Sequence, residues 1–114
     1  MKESIGIKVN EIGSRYVDFY LAEAETERYP YAVYTNDVTP FYTKDGLHHY
    51  ESNVVITIYA QDLDKADRIA EQIHSAITAE MRGSQFSSRL TSSYPDCVEG
   101  IWYRELSYTI KQFG

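Results

Sequence analysis

The stretch TKDGLHHYES, Thr43 to Ser52, holds the densest set of side chains able to do chemistry. His48 and His49 stand within a few residues of Asp45, Tyr50 and Glu51. Imidazole beside carboxylate is a common general acid–base pairing, and imidazole is the commonest metal ligand. The spacing argues against both uses. Successive residues on a strand face opposite ways, so the two rings are expected not to share one metal. Zinc needs three or four converging ligands, and the remaining histidine, His74, falls in a helical segment, toward the flank of its apolar stripe. A hairpin turn with exposed imidazoles is the preferred reading, and no metal or cofactor is expected.

The other candidate nucleophiles lack their partners. Cys97 follows Pro95–Asp96 with no histidine near it in sequence, so a free, partly buried thiol is expected. A single cysteine also excludes an internal disulfide and a multi-cysteine zinc site. The serines Ser84, Ser87, Ser88, Ser92 and Ser93 show no G-x-S-x-G elbow, and no G-x-x-x-x-G-K-[ST] phosphate loop occurs. Glu23, Glu25 and Glu27 alternate in a stretch read as a solvated acidic edge. No catalytic residue is assigned.

Composition narrows the partners. The chain has 114 residues, the length of one domain, and a net charge of −6 from 11 basic and 17 acidic residues. That balance disfavours nucleic-acid binding by counterion release and attraction to an anionic membrane. The start, MKESIGIKVNEIG, lacks the apolar core of a secretory signal, and no apolar run approaches the ~20 residues that span a bilayer. The protein is therefore expected to fold in a cytoplasm. Eleven tyrosines are the compositional oddity. Their rings pack while their hydroxyls stay hydrogen-bonded, which suits half-buried strands and interfaces.

The elements that must position these residues follow from periodicity. In Asp62–Met81, Ala66, Ile69, Ala70, Ile73, Ile77 and Met81 recur at helical spacing, with Asp62 as N-cap and Arg82–Gly83 as the stop. Asn53–Ala60 alternates as a strand, with Val54, Ile56 and Ile58 on one face. Tyr31–Tyr42 reads as a strand broken near Asn36–Asp37 and irregular at Pro40, turning at Asp45–Gly46 and returning from Leu47. Gln85–Ser93 alternates as a strand, Tyr94–Gly100 reads as a loop, and Ile101–Phe113 as the last strand. Ile5, Val9 and Ile12 fit one face of a short helix ending at Gly13, while Ile5, Ile7 and Val9 also fit a strand, and the helix is the preferred reading; a short strand over Tyr16–Ala22 and an acidic loop through Arg28 follow. The fold class expected is α+β: a mostly antiparallel sheet packed against one long helix (about 62–82) and a short N-terminal helix.

In this order, the aromatic strand at Pro30, Tyr31 and Tyr34, the turn at Thr43–Asp45 and the strand–helix junction at Ile56–Ala70 resemble the phage tail completion family. These are the tail terminator proteins of long-tailed phages and prophages, and the resemblance runs from about Ile12 to Ile110. It implies one tail-terminator-like domain over residues 1–114 and a structural, non-enzymatic part of the virion tail, assembled in a bacterial cytoplasm. It also implies a homo-hexameric ring that caps the tail tube. The partners implied are the chain itself, the tail tube protein and the head–tail connector protein, with no membrane and no sequence-specific nucleic acid. The family-pattern and interface candidates are Pro30, Tyr31, Tyr34, Tyr42, Thr43, Lys44, Asp45, Gly46, His48 and His49. The competing reading is a small ligand- or peptide-binding module with an aromatic face.

Overall fold

A computed structural model of the protein describes residues 4–25, 28–83 and 85–113. The elements are α1 (Ile5–Ser14), β1 (Asp18–Leu21), β2 (Tyr31–Thr43), β3 (Gly46–Ala60), α2 (Leu63–Glu80), β4 (Phe86–Val98) and β5 (Ile101–Phe113). The five strands form one sheet in the order β1-β2-β3-β5-β4, antiparallel throughout except for the parallel β1–β2 pair. The α+β class and the long helix are as expected.

Both helices lie on one face of the sheet, because only that face offers a continuous apolar surface. Val54, Ile56 and Ile58 of β3 and Leu106, Tyr108 and Ile110 of β5 meet Ile69, Ile73 and Ile77 of α2 in one buried cluster. Ile5, Val9 and Ile12 extend that cluster beneath α1. Helix α2 starts where Asp62 accepts a bond from the Lys65 N–H at 2.7 Å, satisfying one orphan donor of the first turn. Ser4 does the same for α1 through Ile7 N–H. Gly83, at φ +100°, follows the last turn of α2 in a conformation that glycine takes without strain.

Three expectations about the strands are corrected. Strand β2 runs unbroken through Asn36–Asp37, where Asn36 accepts a side-chain hydrogen bond from Ser52 across the β2–β3 pair. The irregularity lies between Phe41 and Tyr42, beside Pro40. Residues 94–98 are strand, and the turn is only Glu99–Gly100, both at positive φ as a type I′ hairpin requires. Pro95 is tolerated because β4 is an edge strand, and bonds from Tyr94 to Glu105, Tyr103 to Asp96 and Arg104 to Ser93 fasten the segment. For the same reason Cys97 is exposed, not partly buried. Of the acidic stretch, Glu23 and Glu25 are exposed, and Glu27 lies outside the described residues, as does Ser84.

Candidate functional site: the hairpin arm and the open sheet face

The β2–β3 hairpin outgrows the rest of the sheet. The pairing of β5 ends with Phe113 opposite His49, so beyond that level the described residues of the hairpin pair only with each other, and the molecule measures 52 × 24 × 22 Å. The two-residue turn Lys44–Asp45 is held by Asp45 N–H donating to Thr43 Oγ1 at 3.3 Å, and Gly46 takes φ +114°. Tyr42 is 70% exposed near the tip, and Phe41, Leu47 and Tyr50 are also exposed. Exposed apolar side chains gathered on one element make it a candidate interaction surface.

The histidines sit at the base of this arm, and their geometry overturns the expectation of opposite faces. Phe41 pairs with His49 but Tyr42 pairs with Leu47, so His48 is an extra residue in a β-bulge. The bulge turns the two rings together, with Nδ1 to Nδ1 at 2.6 Å and the planes at 80°. At that separation one Nδ1 carries the proton and the other accepts it. His49 also stacks flat on Phe41 with centroids 4.9 Å apart and lies 6.0 Å from Phe113. Its Nε2 is buried and 3.5 Å from Glu51 Oε2, without a directed hydrogen bond among the described residues. No three His, Cys, Asp or Glu of the described residues converge as a metal site would need. His74 packs elsewhere, its Nδ1 2.7 Å from the Tyr108 hydroxyl. Burial pushes that hydroxyl's pKa well up.

No described helix covers the opposite face of the sheet, although Tyr31 there is buried beside Tyr29 and Tyr59. Across its end farthest from the arm runs the row Asp18–Tyr31–Tyr59–Tyr103–Asp96, one residue from each strand. Tyr31 and Tyr59 stack at 4.9 Å, and Tyr59 and Tyr103 follow at 5.9 Å. Tyr103 donates to Asp96 at 2.8 Å, and that carboxylate pushes its hydroxyl up to about 12. In the next row Tyr94 donates to Glu105, which raises its pKa in the same sense. These hydroxyls stay protonated donors at neutral pH. Two adjacent tyrosine–carboxylate pairs give this end an acidic, aromatic surface.

The sequence-derived candidates therefore divide. Tyr42, Thr43, Lys44, Asp45, Gly46, His48 and His49 lie together on the arm. Pro30 and Tyr31 lie at the far end, with Tyr31 in the tyrosine row and Pro30 following a cis peptide bond. Tyr34 points into the core, stacked on Phe19 at 4.6 Å and accepting from Asn10 at 3.2 Å. Tyr59, Tyr103, Asp96, Phe41 and Phe113 were not singled out from sequence. Strand alternation carried their face, but the pairing that aligns them is not local.

No protein-family model matches the sequence, and no curated protein matches it. Among solved structures the chain is similar to one described as "Virion of native gene transfer agent (GTA) particle", with a TM-score of 0.68 and 15% identity. The match covers 98% of this chain and 87% of that one, so the likeness is one of fold across essentially the whole molecule.

Proposed function

We propose that the protein is a structural, non-enzymatic component of a phage or prophage virion, and within it a tail completion protein. On this reading residues 1–114 form one tail-terminator-like domain. Copies of it close into a hexameric ring on the tail tube and present a surface to the head–tail connector protein. The observation that carries the reading is the projecting, aromatic-tipped β2–β3 arm on a fold shared with a chain of a gene transfer agent virion. A ring needs two different patches per subunit, and the arm and the tyrosine row at the opposite end are distinct surfaces on one molecule. The net charge of −6 suits a ring that passes DNA, because it repels phosphate.

Native mass spectrometry over a range of concentrations, followed by a capping assay on purified tail tubes, tests this. A discrete hexamer, or a monomer that stops tube growth, is the expected result. A monomer that neither assembles nor caps would sink it. The row of tyrosines flanked by Asp18 and Asp96 favours one alternative, a module that binds a ligand or peptide on its aromatic face. A stoichiometric small-molecule or peptide adduct on such a monomer is the outcome that alternative requires.

A further inference from the structure

The arm carries most of its exposed apolar residues on one side. Tyr42 pairs with Leu47 and Pro40 with Tyr50, so these four side chains leave the hairpin on the same side. Alternation along β2 from the core residue Tyr34 makes it the side on which the helices lie. The helices end short of it. Along β3 the helix side is fully buried at Ser52 and 39% exposed at Tyr50, and along β2 it passes from buried Tyr34 to exposed Val38 and Pro40. Tyr42 and Leu47 continue this stripe toward the tip, 70% and 43% exposed.

The tyrosine row at the other end of the molecule faces the opposite way. Tyr59 and Tyr103 lie on the face that no described helix covers, one row from Tyr94, which is 45% exposed. Tyr31 is already buried beside Tyr29, so the accessible part of the row runs from β3 to β4. Around it, Asp18, Asp96 and Glu105 have no Lys, Arg or His within ion-pair distance among the described residues. The arm stripe and the row therefore look in opposite directions from opposite ends of a molecule 52 Å long. A second copy in the same orientation, displaced along that axis, lays its tyrosine row on the first copy's arm. Its helices and its own arm then point away from the first copy. No strand edge is shared, so β1 keeps its place beside β2.

We propose that copies of this chain join head to tail, with Pro40, Tyr42, Leu47 and Tyr50 of one arm seated on Tyr59, Tyr94 and Tyr103 of the next copy. Apolar and aromatic side chains left exposed or half-buried in the single chain cover each other there. Lys44 at the turn brings a cation toward the carboxylates of Asp96 and Glu105 and toward the tyrosine rings. Asp45 beside it offsets part of that attraction, so the apolar contact dominates. Two strands span only about 10 Å, so one such contact is small beside the ~800 Å² per partner of a stable complex. Single contacts are therefore weak, and a closed ring accumulates them. The contact is heterologous, using a different patch on each partner, as a ring requires. The inference rests on the ring reading only for closure; the contact itself is tested without it.

In a Cys97→Ser background, which removes the exposed native thiol, the variants Lys44→Cys and Thr57→Cys are treated with a short, flexible bis-maleimide, alone and mixed. Thr57 shares the face of the row, two residues from Tyr59 and paired with Glu105. A covalent dimer is expected at least tenfold faster in the mixture than in either variant alone. Adding Tyr42→Ser to the Lys44→Cys chain should slow that dimer at least tenfold. Its melting temperature should not change, because Tyr42 is 70% exposed in the single chain. No excess of the mixed dimer at millimolar protein, or a rate indifferent to Tyr42→Ser, would each overturn the proposal. A chain carrying both cysteines separates the contact from the ring. Covalent ladders that stay open, with no closed hexamer, support the contact and overturn the ring. A wild-type hexamer in native mass spectrometry without the mixed cross-link overturns the contact and spares the ring.

Discussion

Glu80, in the last turn of α2, accepts two bonds from Arg15 at 2.5 and 2.8 Å and lies 3.4 Å from Lys8. Those cations, Arg15 first, hold its carboxyl down from 4.5 to about 2. A carboxylate depressed in the folded state stabilises above its unfolded pKa and loses that contribution as pH falls through the folded one. The window here runs from about 4.5 down to about 2. Because the group is partly solvated, Glu80→Gln should cost only about 0.5–1 kcal/mol at neutral pH. It should also flatten the acid limb of stability in that window, read by urea titration at several pH values. Gly13 answers to packing instead. A Cβ there would run into the Phe19 ring, which is itself buried in the core against Tyr34. Gly13→Ala should therefore cost about 1–3 kcal/mol, seen as a lower urea midpoint with an unchanged slope.

Caps and turns decide where each element stops. Asp62 is the N-cap of the 18-residue helix α2, so Asp62→Ala should cost about 1 kcal/mol by thermal or urea unfolding, while Asp62→Asn should cost much less. The arm differs in kind, because its distal residues touch little of the core. Replacing Tyr42–His48 with an Asn-Gly turn, which joins the paired Phe41 and His49, should leave the monomer's melting temperature within a few degrees of wild type. It should abolish tube capping if the arm is the docking element. A variant that caps normally would remove the arm from the interface. The bulge at His48 shows why an element cannot always be read residue by residue: one extra residue turned two histidines from opposite sides into contact.

At the scale of the molecule, one sheet face is closed by helices and the other carries two half-buried aromatic zones. The first is the tyrosine row, and the second is Phe41, His49 and Phe113 at the base of the arm. Between them lie smaller and polar residues such as Thr35, Val55, Ser107 and Ser92. A face patterned this way differs from a uniformly polar sheet surface, and assembly gives it a use. Replacing Tyr59 with alanine should therefore lower the affinity of self-association or capping more than tenfold if the row is a contact. If the row serves the fold alone, that variant should shift melting without changing assembly.

The amino-acid order by itself determined the helices, most of the strands and the core. The three- and four-residue spacing of Ala66, Ile69, Ile73 and Ile77 and the alternation of Val54, Ile56 and Ile58 are local periodicities, and apolar burial makes them decisive. Asp62 and Gly83 marked the ends of α2 through chemistry within a few residues. What only the tertiary structure decided was register. Pairing between strands distant in sequence aligned Tyr31, Tyr59 and Tyr103, and carried β4 through Pro95. It also inserted His48 as an extra residue and brought Asp37 and Arg89 to one level on opposite edges. Register is set by the sum of many cross-strand contacts and by bulges, and no short window of sequence contains that sum.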